Sequence, residues 1–152
     1  MQRRLAIPVL CLILCAVVAC RPSDFERVAK GIDGVAIIVG GLQKTIIEAN
    51  LRETITTDNA RAIMKACQKI SEANDKASRL TRQLHRLSRQ DRIDLFQVLH
   101  PVLAIVDEAN TLDLVGITDP NLRAIISAAF GSLQLGLRAI EAALVAGGRN
   151  NG

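Results

Sequence analysis

The chain has almost no aromatic side chains: of its 152 residues, three are Phe and none is Trp or Tyr. Aromatic rings are the usual platforms on which proteins stack sugars and single-stranded nucleic acid, so both classes of binding protein are disfavoured. Only two histidines are present, and neither has a glutamate three residues before it, as the di-iron helical bundles require. Phosphate-binding loops and the common hydrolase motifs are also missing. We therefore predict a protein that is not an enzyme, with no cofactor, no metal and no nucleic-acid partner.

The residues that are present suit one folded domain. Hydrophobic residues make up 49% of the chain and charged residues 22%, with a formal net charge of +4. That apolar fraction is enough to build a core at this length, and the charge content is too ordinary for a disordered chain.

The N-terminus has the pattern of a secretory signal peptide. Arg3 and Arg4 precede the uncharged run Leu5–Ala19, which contains Pro8. This run is shorter than the ~20 residues of a typical membrane-spanning helix. We therefore predict a cleaved signal peptide over residues 1–19 and exclude it from the fold.

The end of that segment, Val17-Val18-Ala19-Cys20, resembles the lipobox of bacterial lipoproteins. The resemblance implies that Cys20 receives a diacylglyceryl group, that the chain is cut before it, and that the new amino terminus is acylated, with palmitate a typical chain. Residues 20–22 would then be a lipidated tether. Arg21, rather than Asp, favours the outer membrane over the cell membrane under the enterobacterial sorting rule. The alternatives are an ordinary signal peptide or an uncleaved signal anchor.

The cysteine distribution excludes a disulfide framework. Cys11, Cys15 and Cys20 belong to the signal segment or the lipobox, so Cys67 alone remains in the folded part. It lies among apolar residues, and we predict an inert, buried thiol rather than a nucleophile.

Four helices are predicted over residues 23–148, and helices 1 and 2 form the first hairpin. Ser23 with Glu26 forms a capping box for helix 1, and helix 2 opens after Thr57. The predicted buried stripe of helix 1 is Val28, Ile32, Val35, Val39, Leu42, Ile46 and Ala49. That of helix 2 is Ile63, Cys67, Ile70, Ala77, Leu80, Leu84 and Leu87.

Helices 3 and 4 have equally clear start signals. Ser88 with Asp91 caps helix 3, and Asp119 with Pro120 starts helix 4. The predicted stripe of helix 3 is Ile93, Phe96, Leu99, Leu103 and Val106, and Pro101 should kink or split it. That of helix 4 is Leu122, Ile126, Ala129, Leu133, Leu137, Ile140 and Leu144. Helix 4 should stop at Gly147-Gly148, leaving a disordered tail over 149–152.

The two halves of the chain resemble each other. Residues 55–63 and 117–125 are identical at six of nine positions. This favours two duplicated αα-hairpins, although helix caps and alanine-rich helices also look alike without duplication. Short connections then predict an all-α, up-down-up-down four-helix bundle. Glycines inside its helices indicate either close backbone approach or loose helices.

That topology separates charge. The end with the N-terminus and the helix 2–3 turn has eight basic and four acidic residues, whereas the opposite end has three basic and seven acidic residues. We predict that the basic end contacts anionic lipid headgroups. The predicted contact residues are Arg82, Arg86, Arg89 and Arg92. The alternative is a solvated helix face with no lipid role.

These patterns predict a lipid-anchored helical bundle of the bacterial cell envelope, exposed to the periplasm or the cell exterior, with a non-enzymatic structural or protein-interaction role. An envelope protein would contact its acidic end or a helix flank. The alternative is a carrier or sensor that holds a small apolar ligand between the helices. His85 and His100 are expected to be surface and structural residues, and Asn74 is expected to face inward and set the helix register.

Overall fold

The computed structural model describes residues 23–111 and 117–146 of the chain. Four helices account for most of these residues: α1 (Asp24–Leu51), α2 (Thr57–Arg82), α3 (Arg89–Thr111) and α4 (Pro120–Ala146). The predicted signal peptide, Cys20, the stop at Gly147-Gly148 and the tail over 149–152 lie outside the described residues.

The predicted capping box of α1 is present, and the predicted cap of α3 is a capping box as well. At the start of α1, Ser23 Oγ accepts from the backbone N–H of Glu26, and Glu26 Oε2 accepts from the backbone N–H of Ser23, each at 3.2 Å. Ser88 and Asp91 make the same reciprocal pair before α3, at 3.2 and 2.8 Å. Each box satisfies two backbone donors that have no partner inside the helix, so these helix starts are determined locally.

Side chains also cap α2 and α4. Thr56, one residue before the predicted cap, accepts from the N–H of Asn59 at 3.3 Å. Asp119 accepts from the N–H of Asn121 at 2.8 Å, and Pro120 is the first helical residue, as predicted. α2 ends at Arg82, so the turn to α3 is longer than expected.

The helices form an up-down-up-down bundle. Each helix packs against the next one along the chain, and α4 packs against α1 to close the ring. Because the connections are short, neighbouring helices are antiparallel. The start of α1, the α2–α3 turn and the end of α4 therefore meet at one end of the bundle, which we call the basic end.

The buried stripe of α1 consists of the seven residues that its periodicity predicts. The prediction for α3 was partly wrong. Its buried residues are Leu95, Leu99, Val102, Val106 and Ala109. Ile93 is 41% exposed instead. α3 has apolar residues around most of its circumference, so two helical stripes fit the sequence, and the positions of α2 and α4 decide which one is buried.

Pro101 does not split α3, which is one helix from Arg89 to Thr111. Proline removes one backbone hydrogen bond, to the carbonyl of Gln97. The neighbouring side chains of Leu99 and Val102 are both almost fully buried. Packing on both sides of Pro101 therefore holds the two halves in one helix.

The two hairpins meet at equivalent positions. Ile55 and Ile117, which are aligned in the repeat, form an antiparallel β-bridge between the α1–α2 and α3–α4 loops. Beyond the loop the equivalence shifts by one residue. Ile63 is buried, but its sequence match Ile125 is 54% exposed, and Ile126 is buried in its place. The later cap at Asp119 explains this shift, because it delays α4 by one residue relative to α2.

Candidate membrane-facing end and apolar surfaces

Arg92 joins three helices at the basic end. Its guanidinium donates to the backbone carbonyls of Ala143 and Leu144 at 3.1 and 3.3 Å, near the end of α4. It also pairs with Asp24, in the first turn of α1, at 3.4 Å. Carbonyls in the last turn of a helix lack helical partners, so Arg92 acts as a C-cap supplied by another helix.

The position of Arg92 corrects its predicted role. Its side chain is only 13% exposed, and its donors are used within the bundle. Arg92 is therefore a structural residue of the bundle rather than a headgroup contact.

The other three predicted arginines have a different environment. Arg82, Arg86 and Arg89 are exposed, and none of their side chains makes a hydrogen bond or ion pair with another described residue. They stand at the end of α2, in the turn and at the start of α3. Three guanidinium groups at this end are thus free to bind an external anion.

The carboxylates at the basic end have partners of their own. Asp24 pairs with Arg92, and Glu26 accepts the N–H of Ser23. Asp94 accepts from the side-chain amide of Gln90 at 2.7 Å. Asp91 caps α3, and the hydrogen bonds from the side chain and backbone of Ser88 lower the pKa of its carboxyl. These carboxylates are bonded to groups other than the three free arginines.

A groove between α3 and α4 opens at the same end, with a volume of about 560 Å³. Its residues come from one flank of α3 and the last turn of α4. They are Arg89, Arg92, Ile93, Phe96, Gln97, Leu144 and Val145. Ile93 and Val145 are 41% and 53% exposed, so the groove presents apolar side chains to the outside. We call it the α3–α4 groove.

A second apolar surface follows the outer side of α1 and α4, and we call it the α1–α4 face. Residues 34–43 and 124–137 contain no charged side chain. A Cβ built on Gly31 of α1 would touch Ile140 of α4, so these two residues lie at the same height along the bundle axis. In antiparallel helices, Ile37 then lies near the level of Leu135. These side chains are 75% and 71% exposed.

The exposed apolar residues of α4 also bear on the question of membrane insertion. By length and composition alone, α4 could cross a membrane, and only 33% of its most apolar stretch is buried. Its inner side nevertheless forms part of the core, through residues such as Phe130 and Leu133. A core helix satisfies the same length and composition test, so we treat α4 as a bundle helix with an unusually apolar outer side.

The remaining predicted residues have structural environments. Cys67 is fully buried, and this burial raises the pKa of its thiol to about 11. Nδ1 of His100 lies 2.8 Å from Oε1 of Glu141 in α4, and the His100 ring stacks on Phe96 with ring centroids 4.9 Å apart. His85 is exposed. Asn74 faces inward as predicted, and its buried Oδ1 accepts no hydrogen bond from any described residue.

Within residues 23–111 and 117–146, no group of three or more potential metal ligands occurs. Comparison with protein-family models, with characterised proteins and with solved structures yields no match.

Sequence reasoning missed the role of Arg92, the α3–α4 groove and the α1–α4 face. The charge-free segments 34–43 and 124–137 were a visible signal for the last of these. Arg92 and the groove had no such signal, because both depend on where the last turn of α4 lies against α3.

Proposed function

We propose that this chain is a lipid-anchored helical-bundle protein of the bacterial cell envelope, with a non-enzymatic structural or protein-interaction role. The observation that carries the proposal is the set of free arginines, Arg82, Arg86 and Arg89, at the end where the chain enters the bundle. Ser23, the cap of the first helix, follows the lipobox Cys20 by three residues. At ~3.6 Å per residue, such a tether keeps Ser23, at the basic end, within about 11 Å of the acylated residue.

Lipid and charge would act together in this arrangement. A single acyl chain binds membranes only marginally, whereas several chains, each contributing ~0.8 kcal/mol per buried CH₂, give a stable anchor. Each arginine near an anionic surface adds about 1 kcal/mol and suits phosphate oxygens. The partners would be the membrane, its anionic headgroups and an envelope protein. The location would be the cell membrane or outer membrane, facing the periplasm or the exterior.

The α1–α4 face supports the interaction role. Its exposed residues Ile37 and Leu135 lie within charge-free stretches of two adjacent helices. An exposed apolar surface without charged side chains is typical of a contact with another molecule. This flank replaces the acidic end as the part of the surface best suited to a protein partner.

The carrier alternative is less well supported. It requires an apolar cavity between the helices, of ~300 Å³ or more for a typical ligand. The centre of the bundle is instead filled by side chains such as Phe130, Ile70 and Leu99, which are almost fully buried. The α3–α4 groove is large enough, but it is open to solvent at the surface of the bundle.

Metabolic labelling with a palmitate analogue tests the anchor. We expect label in the wild-type chain and in the Cys15→Ser control, and none in Cys20→Ser. Equal labelling of the wild-type chain and Cys20→Ser would refute the lipoprotein assignment.

Vesicle sedimentation tests the basic end separately, with a chain that begins at Arg21 and has no lipid. We expect binding to phosphatidylglycerol vesicles and none to phosphatidylcholine vesicles, because the attraction is electrostatic. Replacement of Arg82, Arg86 and Arg89 by Gln should weaken this binding. The matched control replaces three exposed arginines elsewhere, Arg52, Arg61 and Arg138, with the same change in net charge. Equal losses in both variants would show that only net charge matters and would overturn the assignment to the basic end.

A further inference from the structure

The α3–α4 groove combines apolar walls with positive charge. We propose that it binds one acyl chain of an anionic phospholipid from the surrounding membrane, with Arg89 beside the lipid phosphate. This inference rests on the proposed function, because it requires the basic end to lie at a membrane. It goes further by assigning a binding site for one lipid molecule, separate from the covalent anchor.

The shape of the groove suits a hydrocarbon chain. Its α3 wall extends from Arg89 to Gln97, which is about 12 Å along a helix. Its volume of about 560 Å³ is within the ~300–1,000 Å³ range of small-molecule sites. Phe96 and Leu144 form its more buried part, while Ile93 and Val145 are more exposed. Burial of these two side chains against an acyl chain would remove apolar surface from water.

The charges of the groove select an anionic headgroup. Both charged residues that line it are arginines, Arg89 and Arg92. Arg92 uses its donors within the bundle and its charge is offset by Asp24, so Arg89 is the residue available to a headgroup. Arg89 is exposed and without a partner among the described residues, and a guanidinium can bind two phosphate oxygens at once. A neutral or cationic amphiphile would leave this charge without a counterion.

The six residues that follow α4 have no apolar side chain that could cover the groove. Residues 147–152, which follow the last turn of α4, are glycine, arginine and asparagine only. They contain no apolar side chain that could replace water over Ile93 and Val145. These six residues therefore supply no apolar group that could occupy the groove.

The location of the groove is also suitable for a lipid. Arg92, in its wall, is 3.4 Å from Asp24, in the first turn of α1. Asp24 follows Cys20 by four residues. A membrane anchor at Cys20 would therefore hold the mouth of the groove near the bilayer surface, where phospholipid is abundant.

The lack of tryptophan in this chain makes a direct test possible. One Trp is introduced per variant into the full-length gene, and the processed, acylated protein is reconstituted into vesicles. Val145→Trp reports on the groove, His85→Trp on the basic end outside the groove, and Leu135→Trp on the α1–α4 face. The vesicles contain phosphatidylcholine and phosphatidylglycerol, with bromine on the acyl chains of one lipid or the other.

We expect brominated phosphatidylglycerol to quench Val145→Trp strongly, and to quench His85→Trp and Leu135→Trp much less. Brominated phosphatidylcholine should quench Val145→Trp weakly. Addition of Arg89→Gln should lower the preference for phosphatidylglycerol about fivefold, which corresponds to the ~1 kcal/mol of one basic group at an anionic surface. Arg52→Gln, at the opposite end, should leave the preference unchanged.

Other results would overturn the inference. Similar quenching of Val145→Trp and His85→Trp would mean that the basic end lies on the bilayer without a bound acyl chain. Similar quenching by both lipids would exclude a site for an anionic lipid. A chain that carries no acyl group and stays out of the membrane fraction would instead refute the proposed function, so the two failures are distinguishable.

Discussion

Gly31 provides a direct test of the packing between α1 and α4. Alanine at Gly31 should destabilise the fold, whereas alanine at another α1 glycine such as Gly41 should stabilise it. A Cβ added at Gly31 would lie 2.5 Å from Cγ1 and 2.9 Å from Cδ1 of Ile140. Ordinary carbon–carbon contacts are ~3.5–4.0 Å, so about 1 Å of overlap has to be relieved. Ile140 is 2% exposed and branched at Cβ, so it cannot easily rotate away.

The magnitudes follow from two opposing effects. Replacing glycine by alanine inside a helix stabilises it by ~1 kcal/mol. Overpacking a filled core costs about 1–3 kcal/mol. Gly31→Ala should therefore lower the free energy of unfolding by up to ~2 kcal/mol. Gly41→Ala is the matched control, since a Cβ there has no neighbour within 4 Å, and it should raise the free energy of unfolding by up to ~1 kcal/mol.

A double-mutant cycle isolates the contact. Ile140→Ala alone should cost about 2–5 kcal/mol, because it leaves a cavity. In that background Gly31→Ala should become stabilising, since the clashing atoms are gone, and the coupling energy should be about 1–3 kcal/mol. Urea denaturation followed by helical circular dichroism measures each variant. Stabilisation of the wild-type protein by Gly31→Ala, equal to that by Gly41→Ala, would refute the close approach of α1 and α4.

Four further predictions concern single residues. Glu53, two residues after the end of α1, has a positive φ of 57°. Glu53→Gly should therefore raise the free energy of unfolding by roughly 0.5–1 kcal/mol in the same urea assay, whereas Glu53→Ala should not. Arg92→Ala should lower it by about 1.5–3 kcal/mol through loss of charge-assisted hydrogen bonds, and Arg89→Ala should change it by less than ~0.5 kcal/mol. The Cys67 thiol should react with a disulfide reagent only at the rate of unfolding. Burial raises the pKa of this thiol to about 11, so the unfolded chain loses the thiol proton at a lower pH than the folded chain does. The free energy of unfolding should therefore fall as the pH rises from about 9 toward 11. The pKa of the Asp91 carboxyl is lower in the folded chain than in the unfolded chain, so the ionised carboxylate should stabilise the fold above the unfolded pKa. This stabilisation should disappear as the pH falls through the folded pKa, and Asp91→Asn should flatten the acidic part of the plot of unfolding free energy against pH.

The candidate membrane-facing end was predictable in part. Arg82, Arg86 and Arg89 follow from the up-down topology, which short connections impose, and the structure leaves all three exposed. Arg92 stands three residues after Arg89 and cannot be distinguished from it by sequence pattern. The difference comes from the last turn of α4, whose carbonyls accept hydrogen bonds from Arg92 and not from Arg89.

The sequence by itself determined where the helices begin, which face of α1 is buried and which end of the bundle is basic. These properties depend on groups a few residues apart: Ser23 bonds Glu26, Ser88 bonds Asp91, and a helical stripe repeats every three or four positions. Only the tertiary structure decided which stripe of α3 is buried, which arginine is structural and which glycine admits a neighbouring helix. Those outcomes depend on contacts such as that of Arg92 with Ala143, 51 residues away, and short-range patterns contain no information about such distances.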